Sequence, residues 1–210
     1  VIDPLAAMQV FSRQGSDFQS FEQVRRDKKP IRVALNQRGT MMALAGEELL
    51  AAKGIPAKDI EAWGGKVHYV AYNEGLEMMK NKQVDLIVNL LAFPSGQVAS
   101  ATREMPVQMV GLTPEVQGAL QKSLGMMPIA VPAKTYDFQP AAVPSATATV
   151  VLVANASMSD EDAGKIVSAM LRNMDFLKQS HAMMRQLDPA ALARVAPLTL
   201  HPGAEKAYRA

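Results

Sequence analysis

Two short polar turns carry the side chains in this sequence that are best suited to binding a small molecule. Each turn follows an apolar, strand-like stretch and precedes a helix-like one. If the strands are parallel, both turns lie at carboxyl ends, where ligands bind in open α/β sheets. Unpaired N–H groups at a helix start favour an anion, and an arginine adds a two-pronged cation. We therefore predict ligand-binding roles for Gln37, Arg38, Gly39 and Thr40 in the first turn and for Phe93, Pro94 and Ser95 in the second.

A second interpretation of these turns stays open. Both can be ordinary connections, in which Gly39 and Gly96 supply backbone freedom and Arg38 is a solvated surface charge. The residue types alone do not separate the two interpretations, because each fits a polar turn at the edge of a sheet.

No pattern typical of a catalytic or metal-binding site stands out in the sequence. The histidines His68, His181 and His201 lack the spacing of zinc ligands, and cysteine is absent. A phosphate-binding loop, a dinucleotide fingerprint and a nucleophile elbow are also missing. The 14 methionines fall mostly on amphipathic stretches, which indicates core positions rather than a copper-binding surface. We therefore expect a binding protein, not an enzyme, with no catalytic residue, metal or cofactor.

The elements that must position the two turns alternate between strands and helices. Strands are predicted over residues 31–35, 66–72, 84–91, 107–112 and 127–132. Helices are predicted over residues 40–53, 73–80 and 95–103, and from Thr113–Pro114 onward. Thr40 is the expected cap of its helix, and Gly54 is expected to end it. This alternation predicts the α/β class, with a mixed or largely parallel sheet and helices on both faces.

The rest of the chain follows a different pattern. Residues 133–148 are rich in Pro, Ala and Thr and are interpreted as a linker or crossover. Residues 147–156 predict a further buried strand that lies outside the first sheet, and 159–180 predict a long helix with a capping-box-like start. Residues 1–11 are interpreted as part of an element that continues from further upstream.

Composition limits the class of protein. A chain of 210 residues with 49% apolar and 20% charged residues forms one large domain or two small lobes and is not disordered throughout. A net charge of +2 is too balanced for a dedicated binder of nucleic acid or anionic membranes. No apolar run approaches the roughly 20 residues of a membrane-spanning helix. Because the chain begins at Val1, we interpret it as a mature or trimmed product, from which an export signal would leave no trace.

Three stretches resemble the TAXI-type solute receptors of TRAP transporters. SFEQVRRDKKPIRVALNQRGTMMALAGEELLAAKGI is similar to the segment that enters the second lobe of those receptors. KTYDFQPAAVPSATATVVLVANASMSDEDAGKIVSAML resembles their return strand and following helix, with Tyr136 at the family's tyrosine position. LTLHPGAEKAYR resembles their closing signature, here at Leu198, His201, Pro202, Gly203, Ala204 and Tyr208. Ala207 departs from the signature, because the family has an aromatic residue there.

The resemblance implies a periplasmic-binding-protein-like (type II) architecture of two lobes. Residues 30–132 would form a complete second lobe, whereas 1–29 and 133–210 would belong to a partial first lobe. Receptors of this family open with a Gly-rich ligand-binding turn, which does not precede Val1 here. We therefore expect a chain that lacks most of its first lobe and that either associates with itself through the apolar surface this uncovers or is disordered near Val1.

The function that the resemblance implies is that of a periplasmic receptor. It would bind a small anionic or zwitterionic ligand, such as a dicarboxylate, another organic acid or an amino acid, and deliver it to the membrane subunits of a TRAP transporter. Tyr136 would join the ligand-binding residues, and no nucleic acid would take part. In the closing signature, Pro202 and Gly203 predict a tight structural turn, beside which His201 forms local hydrogen bonds and positions a short last helix.

Two alternatives share a related two-lobed architecture. The effector-binding domain of a LysR-like transcriptional regulator would need a helix-turn-helix upstream, which this sequence does not contain. A two-lobed transferase or dehydratase would need a catalytic acid, base or nucleophile in its cleft, and the sequence offers no convincing one.

Overall fold

Strands and helices alternate through residues 6–148, which form the first of two compact units of the chain. The computed structural model describes residues 6–180, 184–185, 187–195 and 198–209. Residues 1–5, which the sequence interpretation assigned to an upstream element, and His181 lie outside the described residues. The second unit begins at Thr149.

The first unit holds the predicted alternation of elements. Its strands are β1 (Ala6–Arg13), β2 (Arg32–Leu35), β3 (Lys66–Tyr69), β4 (Leu86–Ala92), β5 (Val107–Met109), β6 (Met127–Val131) and β7 (Val143–Thr147). Its helices are α1 (Phe21–Asp27), α2 (Met41–Ala52), α3 (Ala57–Ala62), α4 (Tyr72–Lys80), α5 (Gly96–Ala101) and α6 (Pro114–Leu124). Helices α1 and α3 were not predicted from the sequence.

One mixed sheet contains these seven strands. Their order is β3-β2-β4-β1-β7-β6, and β5 pairs with the carboxyl-terminal residues of β1. β2 is parallel to both β3 and β4, whereas β1 is antiparallel to β4 and lies in the interior of the sheet. A mixed sheet with helices on both faces confirms the predicted α/β class.

Apolar side chains cover both faces of this sheet. On one face, Leu49 of α2 and Leu120 of α6 share a buried cluster. On the other face, Met79 of α4 and Val98 of α5 share a second cluster. Successive residues of β2 and β4 belong to the two clusters in turn, as the alternation of side chains along a strand requires.

Helix α2 begins and ends where the sequence predicts. Thr40 Oγ1 accepts a hydrogen bond from Ala43 N at 3.1 Å, which satisfies a donor that the helix itself leaves unpaired. The last helical residue is Ala52, and Gly54 N donates to Ala51 O just beyond it. These two ends fix the position of the first polar turn relative to the sheet.

Strand β7 shows that the predicted linker over 133–148 is wrong for its last residues. Residues 143–147 pair antiparallel with β6. Proline disfavours a strand because it has no N–H for the ladder. Pro144 contributes its carbonyl oxygen instead, which accepts from Leu112 N at 2.9 Å.

Two hydroxyl groups strengthen the short contact between β7 and β1. Ser145 Oγ donates to Met8 O, and Thr147 Oγ1 donates to Ala6 O, both at 2.6 Å. Because β1 and β7 both belong to the sheet, the compact unit of residues 6–148 extends beyond the 30–132 range on either side.

A buried carboxylate joins three segments at the end of the sheet where β2 and β4 begin. Asp85 is only 3% exposed. Its Oδ2 accepts from Arg32 N at 3.0 Å and from Arg32 Nε at 3.1 Å, and its Oδ1 accepts from Arg32 at 2.8 Å and from Arg13 at 3.1 Å. Burial raises the pKa of Asp85, but the hydrogen bonds and charge of Arg32, with Arg13, outweigh it and hold that pKa below its ordinary value.

Helices make up most of the described part of the second unit. They are α7 (Asp160–Arg172), α8 (Met174–Ser180), α9 (Pro189–Leu192) and α10 (Pro202–Arg209). Ser159 caps α7 as predicted, because its Oγ accepts from Asp162 N at 3.0 Å. The single helix predicted over 159–180 is interrupted at Asn173, whose side chain donates to Ala169 O at 2.7 Å.

The strand predicted over residues 147–156 is wrong beyond Thr147. Val150 forms an isolated bridge, and residues 151–155 have no regular secondary structure. Leu152 is 60% exposed and Val153 is 74% exposed. A run of β-branched residues favours a strand only where a neighbouring strand and a core face cover it.

The closing residues form the start of a helix rather than the predicted tight turn. Pro202 and Gly203 are the first two residues of α10. His201 Nδ1 accepts from Gly203 N at 3.2 Å, and its Nε2 lies 3.1 Å from Met158 O. Since an N–H can only donate and a carbonyl can only accept, the proton of His201 is on Nε2. The local hydrogen bonding predicted for His201 is confirmed.

Candidate functional site

The two polar turns lie where the chain leaves neighbouring parallel strands in opposite directions. After β2 the chain enters α2, which packs on the face of Leu49 and Leu120. After β4 it enters α5, which packs on the face of Met79 and Val98. This divergence makes the carboxyl ends of β2 and β4 a topological switch point, the position at which ligands bind in open α/β sheets, and this edge is called the crevice below.

The first turn presents unpaired backbone donors to this crevice. Thr40 Oγ1 donates to Gln37 O at 2.7 Å, which holds the turn closed, and Gly39 adopts a φ of +81° that suits glycine. Within the described residues, the N–H groups of Met41 and Met42 have no hydrogen-bond partner. The start of α2 therefore offers two free donors and the positive end of the helix dipole.

Arg38 in this turn already has two partners. Its guanidinium carbon lies 3.5 Å from the centre of the Tyr69 ring, and Nη1 lies 3.7 Å from Glu47 Oε1. Tyr69 donates to the same Glu47 oxygen at 2.6 Å, and burial, together with Glu47, raises the pKa of Tyr69 to about 12. The charge of Arg38 is thus partly neutralised by Glu47, although its side chain is 70% exposed.

The second turn is held in place by a chain of hydrogen bonds that reaches across the sheet. Ser95 N donates to the Tyr136 hydroxyl at 3.0 Å, and that hydroxyl donates to Gln9 Oε1 at 2.7 Å. Gln9 Nε2 in turn donates to the carbonyl oxygens of Leu91 and Ala92 at the end of β4. Tyr136 is buried, which raises its pKa, and its hydroxyl group acts as both a donor and an acceptor. Tyr136 therefore positions the wall formed by Phe93, Pro94 and Ser95.

A matched pair of tyrosines tests this positioning. We expect Tyr136→Phe to destabilise the first unit by about 1–3 kcal/mol, since it leaves two buried groups unpaired. Tyr72 packs against the same cluster, but its buried hydroxyl has no partner within the described residues. Tyr72→Phe is therefore expected to leave stability unchanged or to raise it. Urea unfolding followed by the fluorescence of Trp63 measures both, and equal losses in the two variants would contradict the assignment.

Sequence analysis missed a buried amide beside the first turn. Asn89, in β4, is only 2% exposed. Its Oδ1 accepts from Asn36 Nδ2 at 3.3 Å and from Leu90 N at 2.9 Å. The sequence contains a signal for this residue, because burying an asparagine inside the continuous apolar run VDLIVNLL costs free energy unless its amide is hydrogen-bonded. Gln9, in the middle of β1, is a second such residue.

The crevice offers hydrogen-bond donors rather than ligands for a metal. Within residues 6–180 and the later described segments, no three His, Cys, Asp or Glu side chains are placed to hold a metal ion. His68 lies in β3, where burial and the nearby charges of Lys66 and Arg32 lower its pKa. Of the helices described, none has the length and apolar character needed to cross a bilayer.

The second unit contains an apolar groove of about 630 Å³. Its lining includes Leu152 from the irregular segment, Ile166 and Met170 from α7, and Tyr208 from α10. Leu152 and Ile166 are exposed, so the described residues of this unit leave part of its apolar surface uncovered. The self-association expected through this surface stays a prediction.

Comparison with known proteins adds one family match. The sequence model of the NMT1-like family matches residues 6–210. No curated protein matches the chain significantly.

Two solved structures resemble the chain. The first is described as the periplasmic sulfonate-binding protein of a sulfonate ABC transporter from Methylobacillus flagellatus KT. It is 17% identical with a TM-score of 0.46, over 85% of this chain and 43% of that one. The second is a binding-protein component of an ABC phosphonate transporter from Pseudomonas aeruginosa. It is 13% identical with a TM-score of 0.36, over 98% of this chain and 65% of that one. The chain thus spans less than half the length of the first protein and just under two thirds of the second.

Proposed function

The chain belongs to the NMT1-like family, and we propose that it is a solute-binding receptor that takes up a small organic acid or amino acid outside the cytoplasm and delivers it to a membrane transporter. The observation that carries this proposal is the crevice at the carboxyl ends of β2 and β4, with unpaired N–H groups at the start of α2. Such groups favour an anionic head group without the need for a cofactor.

The transporter partner is inferred from the closing residues. Leu198, Pro202 and Tyr208 stand in an order similar to the closing signature of TAXI-type receptors, which favours the membrane subunits of a TRAP transporter. A periplasmic location follows from that partner, because such receptors meet their transporter outside the inner membrane.

In this proposal, the ligand-binding crevice belongs to the unit of residues 6–148. That unit corresponds to the second lobe of a type II binding protein, and residues 149–209 contribute to a partial first lobe. In a receptor of this kind, binding closes two lobes on the ligand by a hinge motion. Gln37, Gly39, Thr40 and the wall of Phe93, Pro94 and Ser95 would line the site.

A charge substitution in the first turn tests this function. Gln37 is exposed, and Gln37→Glu adds a negative charge beside the start of α2 without removing a side-chain hydrogen bond. We expect it to weaken binding of an anionic ligand about tenfold, the effect of roughly 1.4 kcal/mol of repulsion in a polar setting. Isothermal titration with amino acids and dicarboxylates, beside native mass spectrometry of the purified chain, measures this.

The matched control is Gln108→Glu on β5. Gln108 is also exposed, but it pairs with Ser12 near the opposite edge of the sheet. The control is expected to bind as the wild type does. A chain that binds no small molecule in either assay is not a solute receptor on its own. Equal weakening of binding in both variants would show that the ligand does not bind at the first turn.

A further inference from the structure

Lysines are concentrated at the edge of the sheet that lies opposite the crevice. Because β2 is parallel to both β3 and β4, the three strands start at this edge. Lys28 and Lys29 precede β2, Lys66 is the first residue of β3, and Lys82 precedes β4. Lys66 N donates to Ile31 O at 3.0 Å, so the segments that lead into β2 and β3 lie side by side. These four lysines are called the lysine edge below.

The lysine edge keeps its positive charge. In the part of the chain that the structure describes, none of its members forms an ion pair, and Lys28, Lys66 and Lys82 are exposed. Asp17 is a nearby exposed carboxylate without an ion pair. The other carboxylates near this edge are engaged by different cations, in the pairs Asp27–Arg26, Asp85–Arg32, Asp85–Arg13 and Glu104–Lys80.

The four charges are close enough to act together. The starts of β3 and β4 are two strand spacings apart, which is about 10 Å. That distance is about one Debye length at physiological salt, so salt does not separate the charges from one another. The negative end of a helix dipole accounts for a cation just after α1 or α4, but not for Lys66, which starts a strand. The net charge of +2 conceals this local concentration.

We propose that the lysine edge binds the anionic headgroups of a phospholipid bilayer and holds the chain reversibly against a membrane surface. A lysine ammonium is a point charge on a flexible stem, which suits a fluid array of phosphate groups. Each lysine beside an anionic bilayer strengthens binding roughly fivefold. The proposal goes beyond the receptor function and does not depend on where the ligand binds.

The side chains of this edge fit a lipid surface better than a protein partner. Protein interfaces are depleted in lysine and centre on aromatic, methionine or arginine anchors. The exposed large apolar side chains of the first unit are Leu44 and Met127. Leu44 lies in the first turn of α2, after the carboxyl end of β2, and Met127 pairs with Thr147 at the crevice end of the sheet. Without an apolar anchor, the attachment is electrostatic, weak and sensitive to salt.

Glycine substitutions remove charge from the lysine edge without straining the fold. Lys28 has a φ of 48° and Lys82 a φ of 58°, in the left-handed region that favours glycine. The probe is a vesicle of phosphatidylcholine with about 30% phosphatidylglycerol, an anionic lipid. We expect Lys28→Gly with Lys82→Gly to weaken binding of the intact chain to these vesicles about 25-fold, which is about fivefold for each charge.

Lys134→Gly is the matched control for a single Lys28→Gly substitution. Lys134 also has a positive φ, of 61°, but it follows β6, which is four strands from β2 in the sheet. The control removes the same charge from the same backbone conformation, and we expect it to weaken binding less than about twofold, because the site lies beyond a Debye length. Urea unfolding followed by Trp63 fluorescence is expected to show that all three glycine variants are at least as stable as the wild type.

Co-sedimentation with sucrose-loaded vesicles measures the binding. Wild-type binding is expected to disappear at about 0.5 M NaCl and on vesicles of phosphatidylcholine alone. Equal binding to the uncharged vesicles, a double variant that binds as the wild type does, or equal losses in Lys28→Gly and Lys134→Gly would overturn the proposal. Tighter binding of a short DNA duplex or of polyglutamate than of the anionic vesicles, at the same salt, would also overturn it, because the partner would then be a nucleic acid or a protein.

Discussion

Gly203→Val is expected to separate α10 from α7 and to cost the second unit about 3 kcal/mol or more. A Cβ on Gly203 would overlap the Asp160 carbonyl oxygen and lie 2.6 Å from the carbonyl carbon and the Cα of Asp160. These are backbone atoms of the first turn of α7, so no side-chain movement relieves the overlap. Overpacking that forces a backbone shift typically costs about 1–3 kcal/mol, and valine adds two methyl groups to the same collision.

Hydrogen exchange of the amides in α7 and α10, resolved by mass spectrometry, measures this loss. Gly118→Ala in α6 is the control, because a Cβ there meets nothing within 4 Å. Removing a mid-helix glycine without a clash is expected to stabilise the chain by about 0.5–1 kcal/mol. Unchanged exchange in α10 of the Gly203→Val variant would mean that the two helices do not pack through this glycine. Affinity for an amino acid or dicarboxylate ligand is expected to change less than stability does.

Asp85→Asn is expected to destabilise the first unit by about 2–4 kcal/mol. Removing one member of a buried ion pair typically costs about 3–5 kcal/mol, because the partner charge is left without compensation. The lower range applies here because the Arg32 side chain is 41% exposed and is partly resolvated, whereas Arg13 is not. Urea unfolding followed by Trp63 fluorescence measures the change at pH 7. A near-wild-type midpoint would show that the carboxylate does not hold β1, β2 and β4 together.

Lowering the pH tests how much the negative charge of Asp85, rather than the size and shape of its side chain, contributes to stability. The pKa of Asp85 is lower in the folded chain than its ordinary value of 3.8, so its contribution is complete at neutral pH. That contribution is lost as the pH falls through 3.8 toward the folded pKa, because the unfolded chain then binds the proton more tightly. Between pH 7 and pH 3, wild-type stability is expected to fall more steeply than that of Asp85→Asn. Asp27→Asn, at an exposed pair with Arg26 that solvent screens, is expected to reduce the slope much less than Asp85→Asn does.

Local features of the fold were predictable because neighbouring residues decide them. The Thr40 cap of α2 and the Ser159 cap of α7 depend on side chains that bond within their own helical turn. The interior position of β1 was not predictable, since its pairing with β4 joins residues about 80 positions apart. The strand prediction over residues 151–155 was wrong for the same reason. Strand propensity depends on packing against neighbouring strands, and the local sequence does not contain those neighbours.

The position of the two turns of the candidate site was predictable from the sequence, but the side-chain contacts within the site were not. The order of elements places the first and second turns at the ends of β2 and β4, which strand–helix alternation alone anticipates. The partners of Arg38 and the hydrogen-bond chain from Ser95 through Tyr136 to Gln9 depend on side chains that meet only in the folded sheet. Asn89 was hidden for another reason, because a continuous apolar run predicts a buried strand whether or not it contains one amide.

The interior position of β1 also governs how this chain fares during synthesis. Of the seven strands of this sheet, β1 leaves the ribosome first, yet the last of the strands that flank it, β7, ends only at Thr147. At translation rates of about 5–20 residues per second, β1 waits roughly 7–30 s for the last of those neighbours, β7. Met8, Val10 and Phe11 are therefore exposed on the nascent chain for that interval. Such a chain stays unfolded long enough to be held by a chaperone or threaded through a translocation channel before its sheet can close.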